Sequence, residues 1–286
     1  MSTDSQTNFL FLADTLAKRY SRFYLNLRKL LDDQDVQYGL LPRTKDVWAV
    51  DYMPIQIDGG EFVQFTYNPD YLRNSVKWRR TISDVDAICL SLGIRTKKCE
   101  ILFDGGNLIR LNGKAIVCDK VFVENQTVGR KDLTTKLMDA LEIDNLTIIP
   151  TDPNDFTGHA DGIVRFYDEN TLLINKYGMQ DRRYQIELEN VLIRAGFTLI
   201  PVSYNPYNNA SVHEARGTYL NFLQMDGLLI IPSFNIPEDE EVLRLFEQLY
   251  RNESLTTIDS NEIAKDGGIL NCISWNIKTT DTDLQY

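Results

Sequence analysis

Short apolar runs recur along the chain in pairs, each pair joined by residues that favour tight turns. Residues 53–57 and 62–65 flank Asp58-Gly59-Gly60, and residues 108–109 and 115–118 flank Asn112-Gly113. Residues 163–166 and 172–174 flank Asp168-Glu169-Asn170, and residues 222–223 and 228–231 flank Asp226-Gly227. Such turn residues tolerate the positive φ that hairpins need, so each pair predicts two antiparallel strands. Between the hairpins the apolar spacing changes to three and four, which lays side chains along one helix face. Val85, Ile88, Cys89 and Leu92 follow Ser83 as a cap, and Leu133, Leu137 and Leu141 make the next face. Ile186, Val191 and Ile193 precede a stop at Gly196, and Val242, Leu245, Phe246 and Leu249 follow a start at Pro237. Further strands are predicted at 146–149, 199–202 and 256–258. The unit is strand, strand, helix, strand.

One polar residue stands at the mouth of each unit. These are Asp51, Asp104, His159, Asn221 and Cys272, separated by 53, 55, 62 and 51 residues. The unit that starts at Cys272 has only its opening strand. The missing parts are read at the other end of the chain: a strand at 8–12, a helix face of Leu16, Tyr20, Phe23, Leu27 and Leu30, and a strand at 36–41. An open repeat array leaves sheet edge and core exposed, so the N-terminal segment is expected to complete the last unit and close a ring. Closure would bring all five polar positions to one central cavity.

Composition narrows what such a cavity can hold. With 30 basic and 41 acidic residues the net charge is −11, which argues against a nucleic-acid partner and suits a small cationic substrate. No linker or low-complexity stretch divides the chain, so residues 1–286 are read as a single domain. No apolar run reaches membrane-spanning length and the N-terminal stretch lacks a secretion leader, so no membrane association and a cytoplasmic location are expected. Cysteines 89, 99, 118 and 272 show no metal-ligand spacing and there are only two histidines, so no metal site is expected. Cys89, Cys99 and Cys118 lie in helix or strand patterns and are assigned to core packing. Arg79-Arg80 and Lys97-Lys98 read as solvated charge, and His213, in a polar loop, as a surface or lid residue.

A thiol at Cys272, an imidazole at His159 and a nearby carboxylate at Asp161 are the ingredients of cysteine-nucleophile catalysis. The segments that carry them are Trp48-Ala49-Val50-Asp51-Tyr52-Met53-Pro54, Phe103-Asp104-Gly105-Gly106-Asn107, Gly158-His159-Ala160-Asp161-Gly162-Ile163-Val164-Arg165-Phe166, Tyr219-Leu220-Asn221-Phe222 and Asn271-Cys272-Ile273-Ser274. In this order they resemble the motifs of the agmatine deiminase and Porphyromonas-type peptidylarginine deiminase family, across essentially the whole chain. The resemblance implies the α/β fold of the guanidine-modifying superfamily (pentein): a five-bladed α/β propeller of ββαβ repeats with pseudo-fivefold symmetry. It implies Cys272 as nucleophile, His159 as general acid and base, and Asp51 and Asp161 as the grip on a guanidinium. Asp104 would sit beside the histidine or the substrate, and Trp48 and Asn221 would line the pocket. The chain departs from the family pattern at Val50 and Met53, at Asp104 where glutamate is usual, and at Ser274-Trp275-Asn276 after the nucleophile.

The implied reaction is hydrolytic deimination of a guanidino compound, agmatine-like or arginine-derived, to a ureido product and ammonia. It proceeds through a covalent thiouronium on Cys272 and needs no cofactor. Two carboxylates suit the task, because paired hydrogen bonds hold a planar guanidinium in one orientation. The alternatives are an amidinotransferase of the same fold, in which an amine replaces water, and a non-catalytic binding module. A second copy of the chain is a candidate partner in a homodimer.

Overall fold

The computed structural model describes residues 2–73, 75–211 and 213–279. Among these residues the strands form five three-stranded sheets of one topology. Ile55–Asp58 runs antiparallel to Glu61–Thr66, which pairs in parallel with Thr96–Leu102. Ile109–Leu111, Lys114–Cys118 and Asn145–Ile149 repeat that order, as do Val164–Phe166, Thr171–Lys176 and Thr198–Ser203. Leu223–Met225, Leu228–Ser233 and Ser254–Asp259 make the fourth sheet.

In the fifth sheet, Ser274–Ile277 runs antiparallel to Phe9–Ala13, with Phe11 opposite Trp275, and Phe9–Ala13 pairs in parallel with Gln37–Leu41. The N-terminal strand is therefore the middle strand of a sheet begun at the C-terminal end. All five of its residues are buried. A strand so apolar has no stable place at an open edge, where its amides and side chains would both face water.

Two local rules generate each unit. Asn112 and Gly113 both adopt positive φ (43° and 77°), the pair of left-handed residues that a two-residue hairpin requires. A parallel partner needs a crossover, and helices supply it: Val85–Ser91, Arg130–Leu141, Arg182–Arg194, Glu238–Leu249 and Ser21–Asp33. Leu133, Leu137 and Leu141 are fully buried along Arg130–Leu141, each contributing roughly 1.5–3 kcal/mol by leaving water.

Several local expectations are revised. The cap of Val85–Ser91 is Asp84, whose Oδ1 accepts from Ala87 N at 3.0 Å, while Ser83 Oγ accepts from Lys45 N and so ties a neighbouring loop. Arg182–Arg194 buries Tyr184, Leu188 and Leu192, leaving Ile186 and Ile193 exposed. Tyr184, Leu188 and Leu192 recur every four residues and form one continuous stripe, whereas Ile186 and Ile193 stand off it, so the stripe takes the core side. On Ser21–Asp33 the inward leucine is Leu31, with Leu30 at the margin. Thr96–Leu102 is a strand that the apolar pattern had not marked, and it carries the Lys97-Lys98 pair read as solvated charge. Its lysines are exposed, with Lys98 paired to Asp86, and Cys99 is half-buried, whereas Cys89 and Cys118 are buried free thiols. No described helix is long and apolar enough to cross a membrane.

Candidate functional site

Each polar position stands just ahead of the first strand of a sheet, on a short turn. Asp51 lies in the helical turn Ala49–Tyr52, Asp104 and His159 cap the 3-10 turns Gly105–Asn107 and Ala160–Gly162, and Cys272 lies in Leu270–Ile273. Asn221 precedes the strand Leu223–Met225. Asp51, His159, Asp161, Asn221, Cys272 and Trp48 line one cavity of about 1010 Å³. Asp104 is not on its wall and stands behind His159. The turns pack closely: a Cβ on Gly105 would lie 2.0 Å from Val50 O, so only glycine lets the Asp104 turn reach the Asp51 turn.

One arm of the site surrounds the thiol. Asn221 Nδ2 donates to Asp161 Oδ2 at 2.8 Å and lies 3.2 Å from Cys272 Sγ, and its Oδ1 accepts from Cys272 N at 3.3 Å. Asn271 Nδ2 donates to the same Asp161 oxygen at 2.7 Å, and Cys272 Sγ approaches that oxygen at 3.5 Å. Behind them Arg165 Nη1 donates to Asn271 Oδ1 at 3.0 Å while Nη2 pairs with Asp4 Oδ2 at 2.8 Å. Burial raises the Asp161 carboxyl above the usual range. Burial, with the Asp161 and Asp51 charges, pushes the Cys272 thiol well above its ordinary value, so the resting sulfur is protonated.

The other arm surrounds the imidazole. His159 Nε2 pairs with Asp104 Oδ2 at 3.0 Å, and Nδ1 faces Asp51 Oδ1 at 3.5 Å. Burial alone would lower the imidazole, but Asp51 and the Asp104 hydrogen bond outweigh it and lift His159 to about 9. Burial likewise raises Asp51 to about 7 despite the His159 charge. Asp104 goes the other way: burial would raise it, but the His159 hydrogen bond and the Lys120 ammonium, 3.1 Å from Oδ2, hold it low. At neutral pH this arm is an imidazolium whose Nδ1 faces Asp51, itself on the cavity wall, with Asp104 fixing the ring from behind.

The wall beyond this centre carries Asp46, Asp152, Asp155, Asp181 and Asp266 against the fixed cations Arg19 and Lys265. Arg19 is already paired with Asp46 at 3.0 Å and Asp266 at 3.3 Å. The field in the cavity therefore favours a cation. His213 is exposed and packs edge-on against Phe156 at the rim, with 4.6 Å between ring centroids. Among the described residues no three metal-ligating side chains are grouped as an ion would require.

Sequence reasoning overlooked Lys120, Asn271 and Arg165 as working parts. The latter two stand inside the motifs already singled out, and adjacency to His159 and Cys272 was the available signal. Lys120 had none, because nothing in its neighbourhood marks a buried lysine. Gly268 was also overlooked: a Cβ there would meet the Trp48 ring at 2.4 Å and Cys272 Cβ at 2.9 Å.

Comparison with known proteins gives the family and the fold. A model of the Porphyromonas-type peptidyl-arginine deiminase family matches residues 9–277. The agmatine deiminase of Ectopseudomonas mendocina is 24% identical over 88% of this chain and 79% of its own. The solved C. jejuni agmatine deiminase has the same α/β fold, with a TM-score of 0.81 at 18% identity over 96% of this chain and 94% of that one. A cysteine-to-serine variant of that enzyme with substrate bound gives 0.76 at 16% identity, covering 96% and 95% of the two chains. The chain belongs to the Porphyromonas-type peptidyl-arginine deiminase family.

Proposed function

We propose that this member of the family hydrolyses the C–N bond of a small guanidino compound, agmatine-like or arginine-derived, releasing ammonia and a ureido product. The observation that carries the reading is the convergence of the Cys272 thiol, the Asp51 and Asp161 carboxylates and the His159 imidazolium on one cavity whose wall favours a cation. The five sheets of like topology, joined through the N-terminal strand, support a five-bladed propeller in which residues 1–286 act as one domain.

In this reading Asp51 and Asp161 hold the planar guanidinium by paired hydrogen bonds. The incoming positive charge lowers the Cys272 thiol, which loses its proton to solvent and attacks the guanidinium carbon. The new C–S bond turns the cation into a neutral tetrahedral adduct. His159 gives its Nδ1 proton to one amino group, the C–N bond breaks, ammonia leaves and a cationic S-alkyl thiouronium remains. Neutral His159 then takes a proton from water as the oxygen attacks the same carbon. Expulsion of the thiolate and transfer of the hydroxyl proton to it give the ureido product and restore the Cys272 thiol, while the released ammonia becomes ammonium by taking up the proton first given to solvent. Asn221, hydrogen-bonded at once to the sulfur, the Cys272 amide and Asp161, keeps nucleophile and carboxylate in register.

The test is purified protein incubated with agmatine, arginine and a blocked arginine peptide, scoring ammonia and ureido product, with adduct mass mapped by digestion. Turnover with an adduct on Cys272 is the expected result. No turnover of any guanidine, or an adduct elsewhere, overturns the reading.

A further inference from the structure

Lys120 is only 7% exposed, although it carries a charge and opens the short helix Lys120–Glu124. Its stem passes beneath the loop that carries His159, where a Cβ on Gly158 would meet Lys120 Cδ at 2.9 Å. The ammonium lies 3.1 Å from Asp104 Oδ2, and that same oxygen accepts from His159 Nε2 at 3.0 Å. Asp104 Oδ1 is buried without a partner. One carboxylate oxygen thus bridges two cations while its twin is left bare, so Asp104 is held by what lies on either side of Oδ2. A lysine that served only to neutralise its own helix would have no need to reach Asp104.

We infer that Lys120 is a positioning residue for the imidazole: its ammonium clamps Asp104 against His159 and, by its charge, keeps the imidazolium acidic enough to surrender a proton in every turnover. The turnover part rests on the deiminase reading; the electrostatic link between Lys120 and His159 does not. The groups facing the ammonium are Asp104, Glu124 at 3.7 Å on its own helix, Asp70 at 3.6 Å, and the Tyr71 ring, whose centroid is 4.7 Å away. Those facing the imidazole are Asp51, Asp104 and the Tyr71 edge at 6.2 Å, with Asp155 on its backbone amide and Asp161 two residues on. Against burial, which would discharge it, Lys120 is kept protonated by Asp104, Glu124 and Asp70. Its charge opposes the lift that Asp51 and Asp104 give His159. Without it the imidazolium, flanked by two carboxylates, would become too weak an acid for the departing nitrogen.

The experiment uses the small histidine count. The chain has two histidines, so side-chain labelling gives two imidazole signals, and that of exposed His213 is identified by its loss in His213→Gln. In Lys120→Met the His159 midpoint is expected to rise by about one pH unit relative to wild type, with Lys120→Arg staying close to wild type. In Glu124→Gln, which removes an opposing anion and leaves the lysine, the midpoint is expected to fall. On a guanidino substrate, Lys120→Met should lower kcat by about tenfold and move the alkaline limb of kcat/KM upward. A folded Lys120→Met whose His159 midpoint is unmoved overturns the inference, even if kcat falls. Should that variant not fold, an unmoved midpoint in Glu124→Gln overturns it equally. The titrations need no substrate, so a failure of deimination itself would be seen separately.

Discussion

Both arms of the cavity bury a carboxylate, and they hold it by opposite means. Asp161 accepts from two side-chain amides, Asn221 and Asn271, and has no cation directly on it: the His159 and Arg165 charges act from a distance, and Arg165 hydrogen-bonds only to Asn271. Asp104 has Lys120 and the imidazolium directly on it. The first carboxylate is raised by burial and still short of a positive partner, and the second is held low and already neutralised. A carboxylate that lacks a cation can receive one, and one that is saturated can only orient what it touches. On the deiminase reading the contrast fits Asp161, together with Asp51, to capture of the substrate and Asp104 to holding the histidine.

The largest effect expected is from Cys272→Ala, which should lower turnover by on the order of 10⁴-fold or more while leaving the guanidinium grip intact; equilibrium dialysis with an unreacted substrate would detect the retained binding. Next, Asp161→Asn and Asp104→Asn should separate the arms. The first is expected to raise KM by about a hundredfold, through loss of a buried charge partner for the substrate. The second should lower kcat by about a hundredfold with a smaller change in KM, because the histidine loses its orienting partner. If both variants fell in the same kinetic parameter, the division of labour would be wrong.

Stability should divide the arms with opposite sign. Asp161→Asn removes a carboxylate whose burial outweighs the amide bonds and distant charges that favour it, so its Tm at neutral pH should rise by about a few degrees. Asp104→Asn strands Lys120 and His159 and should cost about 3 kcal/mol, seen as a lower midpoint in chemical denaturation. The remaining test is the pH dependence of wild-type stability. His159 is raised from 6.5 to about 9 in the folded chain, so its contribution is full below about 6.5 and lost as pH rises through about 9. Melting curves across that window should fall with rising pH, and the fall should shrink in His159→Gln.

Much of the repeat was legible because its signals are local. Asn112-Gly113 and Asp226-Gly227 mark hairpins whatever lies around them, and the Leu133, Leu137, Leu141 row can face only inward. The errors fall where two local readings are equally good. Ser83 and Asp84 are both capping residues, and only the loop at Lys45 decides which is free to cap. Ile186 and Ile193 have the spacing of a buried face, but the sheet beneath chose Tyr184, Leu188 and Leu192. The strand Thr96–Leu102 was hidden because its lysines face solvent and disguise the alternation.

The site divides in the same way. Motif position could nominate Asp51, Asp104, His159, Asp161, Asn221 and Cys272, since each stands at the same place in its unit or inside one short segment. Lys120 could not be nominated, because a buried ammonium is identified by what surrounds it and not by its neighbours in sequence.

What the amino-acid order determined alone is the unit, its count, and the residue types brought to its mouth, since turn chemistry and apolar spacing act over a few residues. Which carboxylate meets a cation and which is left waiting for one was decided only by tertiary structure. Charge interactions depend on distances between residues far apart in the chain and on the water removed from around them, and neither quantity exists until the chain has folded.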